Sequence, residues 1–94
     1  MTDMEKILYF MTYFKDEFMQ VVDVFAGDGK SKNAGDEERF ISESFTYHLK
    51  KMLRHQNKYL LGEKADTDSG KHPLAHAILR QMMLMREDKN KVEG

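Results

Sequence analysis

The stretch "ILYFMTYFKDEFMQVVDVF", from Ile7 to Phe25, decides the fold class. Ile7, Met11, Phe14, Phe18, Val21 and Phe25 recur in steps of four and three. That spacing puts them on one stripe of an α-helix, and no period-two alternation competes with it. Tyr9, Tyr13 and Val24 form a second, weaker stripe on the back. A helix that is apolar on two sides needs two neighbours, from its own bundle or from another subunit. Thr2 or Asp3 can cap its start, and Gly27 and Gly29 mark its end near Ala26.

Outward from this helix, the spacing predicts two more. "GDGKSKNAGDEE" (Gly27–Glu38) has glycines and small polar residues without periodicity, so residues 26–37 are expected to be a mobile loop. Its Gly29-Lys30-Ser31 lacks the glycine five residues earlier that a phosphate-cradling loop requires, and a helix rather than a strand precedes it. The second helix is expected from Asp36, a cap with Glu37 and Glu38 in the first turn, to Leu61. Ile41, Phe45, Leu49, Met52 and Tyr59 make its stripe, with His48 and His55 beside it and Lys50, Lys51, Arg54 and Lys58 on a basic flank. Gly62 is its stop.

The third helix begins near His72 or Pro73, since proline suits the first helical position, and runs to about residue 87. Leu74, Ile78, Met82 and Met85 form its apolar stripe, with Leu79 and Met83 alongside. The polar tail, residues 88–94, should fray. The expected fold is all-α: one domain over 1–94, a bundle of three main helices completed by oligomerisation. The Phe14/Phe18/Phe25 and Ile41/Phe45/Met52 stripes are expected to meet in the core.

Composition bounds the function. A chain of 94 residues allows one core. Lys+Arg 15 against Asp+Glu 16 gives no footprint for non-specific nucleic-acid binding. The absence of cysteine excludes disulfides and thiolate metal sites. Asp3 and Glu5 stand where a signal peptide would carry positive charge, and no apolar run is long enough for a membrane span. These features predict a cytoplasmic protein with no membrane partner.

The chemistry concentrates in "GEKADTDSGKHPLAHA" (Gly62–Ala77). An EF-hand fails there, because Lys71 and Ala77 stand where that loop needs glycine and glutamate. His72 and His76, four apart on a helix, suit a transition metal, or else a cap and a half-buried packing residue. Glu63 and Asp66 project together from a helical turn and suit Mg²⁺ or Mn²⁺, with an exposed acidic turn as the plain alternative. Arg54 and Lys71 are near enough in sequence to offset the acidic charge without any metal.

The order of these residues carries a resemblance. Arg54-His55, Gly62-Glu63, Asp66, Asp68-Ser69-Gly70 and Leu74-Ala75-His76-Ala77 follow one another as in the N-terminal family of phage and bacterial dATP/dGTP diphosphohydrolases. That group is similar to the all-α MazG-like nucleoside triphosphate pyrophosphohydrolases. The likeness is strongest over residues 54–87. The first helix departs from the pattern, with Gln20 where the family usually has glutamate.

The resemblance implies hydrolysis of a (deoxy)purine nucleoside triphosphate, NTP to NMP and pyrophosphate, with Mg²⁺ or Mn²⁺. It implies Glu63, Asp66 and His76 as catalytic residues and Arg54 and Lys71 as phosphate-neutralising ones. The metal ligands would be Glu63 and Asp66, with Glu17 or Asp23 from the first helix. It also implies a homo-oligomer. The alternative is a non-catalytic relative that binds a nucleotide (dNTP) or serves as a phage-type interaction module against a host protein.

Overall fold

The computed structural model describes residues 1–26 and 37–93, and for Phe40 and residues 90–93 the backbone alone. Four helices follow in order: α1 (Asp3–Ala26), α2 (Glu37–Ser42), α3 (Phe45–Leu60) and α4 (Pro73–Glu93). Among the described residues there is no strand. The expected all-α class holds. The mobile loop expected at 26–37 and the Asp36 cap fall largely on residues 27–36, outside the described residues.

Capping explains most of the boundaries. Thr2 and Glu5 close a reciprocal box at the start of α1: the Glu5 amide donates to Thr2 Oγ1 at 3.2 Å, and the Thr2 amide donates to Glu5 Oε1 at 3.0 Å. The expected second helix is two helices. Ser44 leaves helical backbone (φ −66°, ψ 156°), and its hydroxyl accepts from the Tyr47 amide at 3.1 Å. A serine in that conformation starts a new helix, and α3 begins there. Gly62, at φ 98°, ends α3 in the left-handed region that glycine tolerates. Pro73 opens α4, which continues to Glu93, beyond the fraying point expected from the polar tail.

Packing centres on α4, which lies against both α3 and α1. The core is small: Val21, Val24, Ala75, Leu79 and Met83 are buried, with Phe25 and Ile41 packed against them. This corrects the expected stripes. On α4 the row Ala75, Leu79, Met83 faces inward, while Ile78, Met82 and Met85 face outward. Small side chains explain the choice, since Ala75 and Ala77 let α4 approach its neighbours closely.

On α1 only the C-terminal part joins the core. Ile7, Phe14 and Phe18, expected inside, are exposed. Phe14 itself leaves helical geometry (φ −126°, ψ 22°), so α1 is two helical segments across a kink. The first of these segments is an arm with no buried residue.

Candidate functional site

Asp66 lies at the centre of the turn between α3 and α4, and its side chain shapes that turn. Its Oδ1 accepts from the amides of Asp68 at 2.9 Å and Ser69 at 3.1 Å. This is an Asx turn, in which a short carboxylate replaces a backbone acceptor. The Asp66 carbonyl accepts from the Gly70 amide at 2.8 Å, and the Asp66 amide donates to the Lys71 carbonyl at 2.7 Å. Gly70 sits at φ 73°, which the tight return requires. The other carboxylate oxygen, Oδ2, lies 3.7 Å from Lys58 Nζ and 3.8 Å from His55 Nδ1.

His76 reaches the same cluster from the first turn of α4. Ser69 Oγ accepts from the Lys71 amide at 3.1 Å and shares a hydrogen bond with His76 Nε2 at 2.6 Å, the donor being set by the His76 tautomer. His76 stacks on His55 with ring centroids 4.4 Å apart. Burial lowers the pKa of His76, against an opposing pull from Asp66. Burial, then the neighbouring His76, lowers that of His55 to about 4. Both rings are therefore neutral near pH 7, and Lys58 is the cation facing Asp66. Burial pushes the Asp66 carboxyl up, but the two amides, His76 and Lys58 outweigh it and hold the pKa below the ordinary value.

A second buried polar link ties α4 to α3 and α2. Arg80 Nη1 donates to His48 Nδ1 at 2.7 Å, and His48 Nε2 makes a 3.5 Å contact with the Ile41 carbonyl. His48 is fully buried, and burial together with Arg80 lowers its pKa. Arg80 also lies 3.8 Å from Glu43 and over the Tyr47 ring.

The C-terminal half of α1 reaches the turn through polar contacts. The His72 amide donates to Gln20 Oε1 at 2.9 Å, and Lys71 Nζ pairs with Asp23 at 3.3 Å. His72 caps α4, accepting from the Leu74 amide at 3.1 Å through Nδ1. Gln20 thus serves as a neutral acceptor for a backbone amide, which a carboxamide does well.

Of the residues expected at a site, the structure brings Asp66 and His76 within 3.9 Å of each other. Glu63 is half-buried in the same turn, and its Oε1 and His55 Nδ1 are buried without a hydrogen-bond partner among the described residues. Lys71 is paired with Asp23, and Arg54 is exposed. Glu17 lines an apolar cleft with Phe10, Phe14 and Phe18. Among the described residues no three His, Asp or Glu side chains form a group that could hold a metal ion.

A Ser-His-Asp reading does not fit the geometry either. Ser69 and Asp66 both approach Nε2 of His76, whereas a carboxylate that orients a catalytic base sits on the other ring nitrogen.

Lys58, Ser69, His48 and Arg80 are members of these clusters that the sequence did not mark as site residues, although His48 and Lys58 were placed beside the second helix's stripe and Ser69 in the resembling motif. Ser69, three residues after Asp66, carried the one available signal, the Asx-turn spacing. Compared with family models, with curated proteins and with solved structures, the chain has no match.

Proposed function

We propose that the chain is a non-catalytic helical interaction protein, in which the α3–α4 turn is a structural clasp and α1 supplies the docking element. The observation that carries this reading is the engagement of Asp66. One of its oxygens accepts two backbone amides, and the other faces Lys58 and His55. A carboxylate held this way keeps the turn closed and has little left to offer a cation. The exposed aromatics of α1 give such a protein a surface to present.

A second reading rests on two other atoms. Glu63 Oε1 and His55 Nδ1 are buried without hydrogen-bond partners among the described residues, and such groups call for an explanation. Under this reading the turn serves a metal-dependent (deoxy)purine nucleoside triphosphate pyrophosphohydrolase, as the resemblance over residues 54–87 implies. Glu63 and Asp66 would hold Mg²⁺ or Mn²⁺ with Glu17 or Asp23, and Arg54 and Lys71 would face the phosphates. The donor set fits poorly as it stands, because Asp23 is paired with Lys71 and Asp66 is engaged in its own turn. No reaction step is therefore assigned.

Melting wild type and Asp66→Asn, each with and without Mn²⁺ plus dATP or dGTP, separates the two readings. Under the clasp reading Asp66→Asn lowers the apo melting temperature by several degrees, equivalent to about 1 kcal/mol. Metal and nucleotide then move neither protein. A Mn²⁺-dependent rise in wild type that Asp66→Asn abolishes, with apo stability unchanged, would overturn the clasp reading in favour of the hydrolase.

A further inference from the structure

We infer that the outer edge of α3 is a coiled-coil seam for a partner protein's helix, one that carries acidic side chains beside its apolar stripe. This face is separate from the clasp and from the arm of α1. Leu49, Leu53, Gln56 and Leu60 follow in steps of four, three and four. That is the spacing of successive core positions in a heptad, and on a helix it gives one straight row. Leu53 is 54% exposed and Leu60 80% exposed, while Leu49 and Gln56 are half-buried. The row is therefore not the side by which α3 packs on its own chain. That side carries His48, His55 and Tyr59, which meet Arg80, His76 and His72.

Charge selects the occupant. The chain as a whole is close to neutral, at −1, but its charges are segregated. α3 carries Lys50, Lys51, Arg54 and Lys58, and no aspartate or glutamate. At 3.6 residues per turn these four fall within about 100° of arc, on the side of the leucine row that faces away from the core. Lys50 directly follows Leu49, in the flanking position where heptad charges choose a partner. Arg54 lies one turn further along the same strip. Lys58 faces Asp66, and Lys51 lies over the Tyr47 ring. Lys50 and Arg54 are exposed and pair with no acid among the described residues. A helix with glutamates or aspartates in its own flanking positions satisfies both the leucines and these cations.

Other occupants satisfy less. The α3 of a second copy would set cations against cations in either direction, because this helix has no acid to offer. A nucleic acid would meet the cations through its phosphates but leave Leu53 and Leu60 without an apolar partner. A bilayer takes up a helix by its widest apolar face. On α3 that face includes Phe45, Met52 and Tyr59, which are half-buried on the inward side.

Two synthetic peptides of about four heptads serve as probes, both with leucine in the core positions, one with glutamate and the other with lysine in the flanking positions. By fluorescence anisotropy the glutamate peptide should bind the chain at least about tenfold more tightly than the lysine peptide, and added salt should weaken it. Lys50→Glu with Arg54→Glu should reverse the preference. Leu53→Ser with Leu60→Ser should lose both peptides. None of the four residues belongs to the core, so the helical circular dichroism of the variants should match wild type.

Equal affinity for the two peptides, binding that survives either pair of substitutions, or no binding at all overturns the inference. So does tighter capture of duplex DNA or of phosphatidylcholine–phosphatidylserine vesicles through Lys50 and Arg54, or a wild-type oligomer that Lys50→Glu with Arg54→Glu disperses. The Mn²⁺ and nucleotide melts report on the turn alone, so the clasp reading and this one fail separately.

Discussion

In the α3–α4 hairpin, Asp66 and Ser69 of the turn and His48 and Arg80 of the helices are polar groups in the interior; along the arm of α1, Ile7, Tyr9, Phe10, Tyr13 and Phe14 are apolar groups at the surface. Each region inverts the ordinary distribution. The turn tolerates burial because most of its donors and acceptors meet a partner at a fixed distance, which specifies one arrangement of the chain. The arm has no such network, and its residues gain little from the fold around them. A small core of Val21, Val24, Ala75, Leu79 and Met83 joins the two regions. Geometry at one end is set by hydrogen bonds, and the other end lies exposed.

The comparison breaks most sharply by mutation of the core that joins them. Leu79→Ala should cost about 3 kcal/mol of unfolding free energy in a denaturant titration. A cost under about 1 kcal/mol would show that the core is not where stability resides.

Asp66→Ala should follow at about 2 kcal/mol, because it leaves two amides and Lys58 without their buried acceptor. A denaturant titration beside wild type measures the loss.

Acidification tests the same region without mutation. His55 has a folded pKa of about 4, below the ordinary 6.5. The unfolded chain therefore takes up this proton first as pH falls. Stability is complete above 6.5, declines between 6.5 and 4, and levels below 4. Denaturant titrations at pH 8 and pH 5 should differ by on the order of 2 kcal/mol from this group. His55→Gln should flatten that slope. His48 and His76, shifted in the same direction, add to the trend.

The smallest effect belongs to the arm. Tyr13→Ser, read in the same denaturant titration, should change stability by less than about 0.5 kcal/mol. A larger loss would mean that the arm packs on its own chain.

The helical class was legible because Ile7 to Phe25 repeats in steps of four and three, and no other regular structure gives that spacing. Which stripe of a helix faces inward was less legible. On α4 two rows one residue apart, Leu74/Ile78/Met82 and Ala75/Leu79/Met83, are both apolar, and size favours the wrong one. Close helix approach favours the row containing alanine, a tertiary effect that no single helix reveals. The break before α3 had a local signal in Ser44, overridden by a stripe that runs through it.

At the turn, Asp66 and His76 could be named from spacing, and they do meet. Ser69 had a local signal in its spacing from Asp66, whereas Lys58 becomes relevant only when α3 and α4 fold back on each other. The resemblance read over residues 54–87 named Asp66 and His76, which lie together, and also Arg54, which is exposed, and Lys71, which pairs with Asp23; it did not indicate that Asp66 would accept from the amides of its own turn.

The methionines give the exposed rows of α1 and α4 a vulnerability of their own. Of eight in the chain, Met1, Met4, Met19, Met82 and Met85 are open to solvent, whereas Met83, adjacent to Met82, is 5% exposed. Peroxide converts an accessible thioether to a sulfoxide, which is polar and reversible by reductases. Oxidation would therefore wet the outer surface of α4, the start of the arm and the segment of α1 after the kink, while leaving the inner row intact. Sulfoxide formation on these rows would change the polarity of the surface without touching the core, and peptide mapping after mild peroxide would read the pattern methionine by methionine.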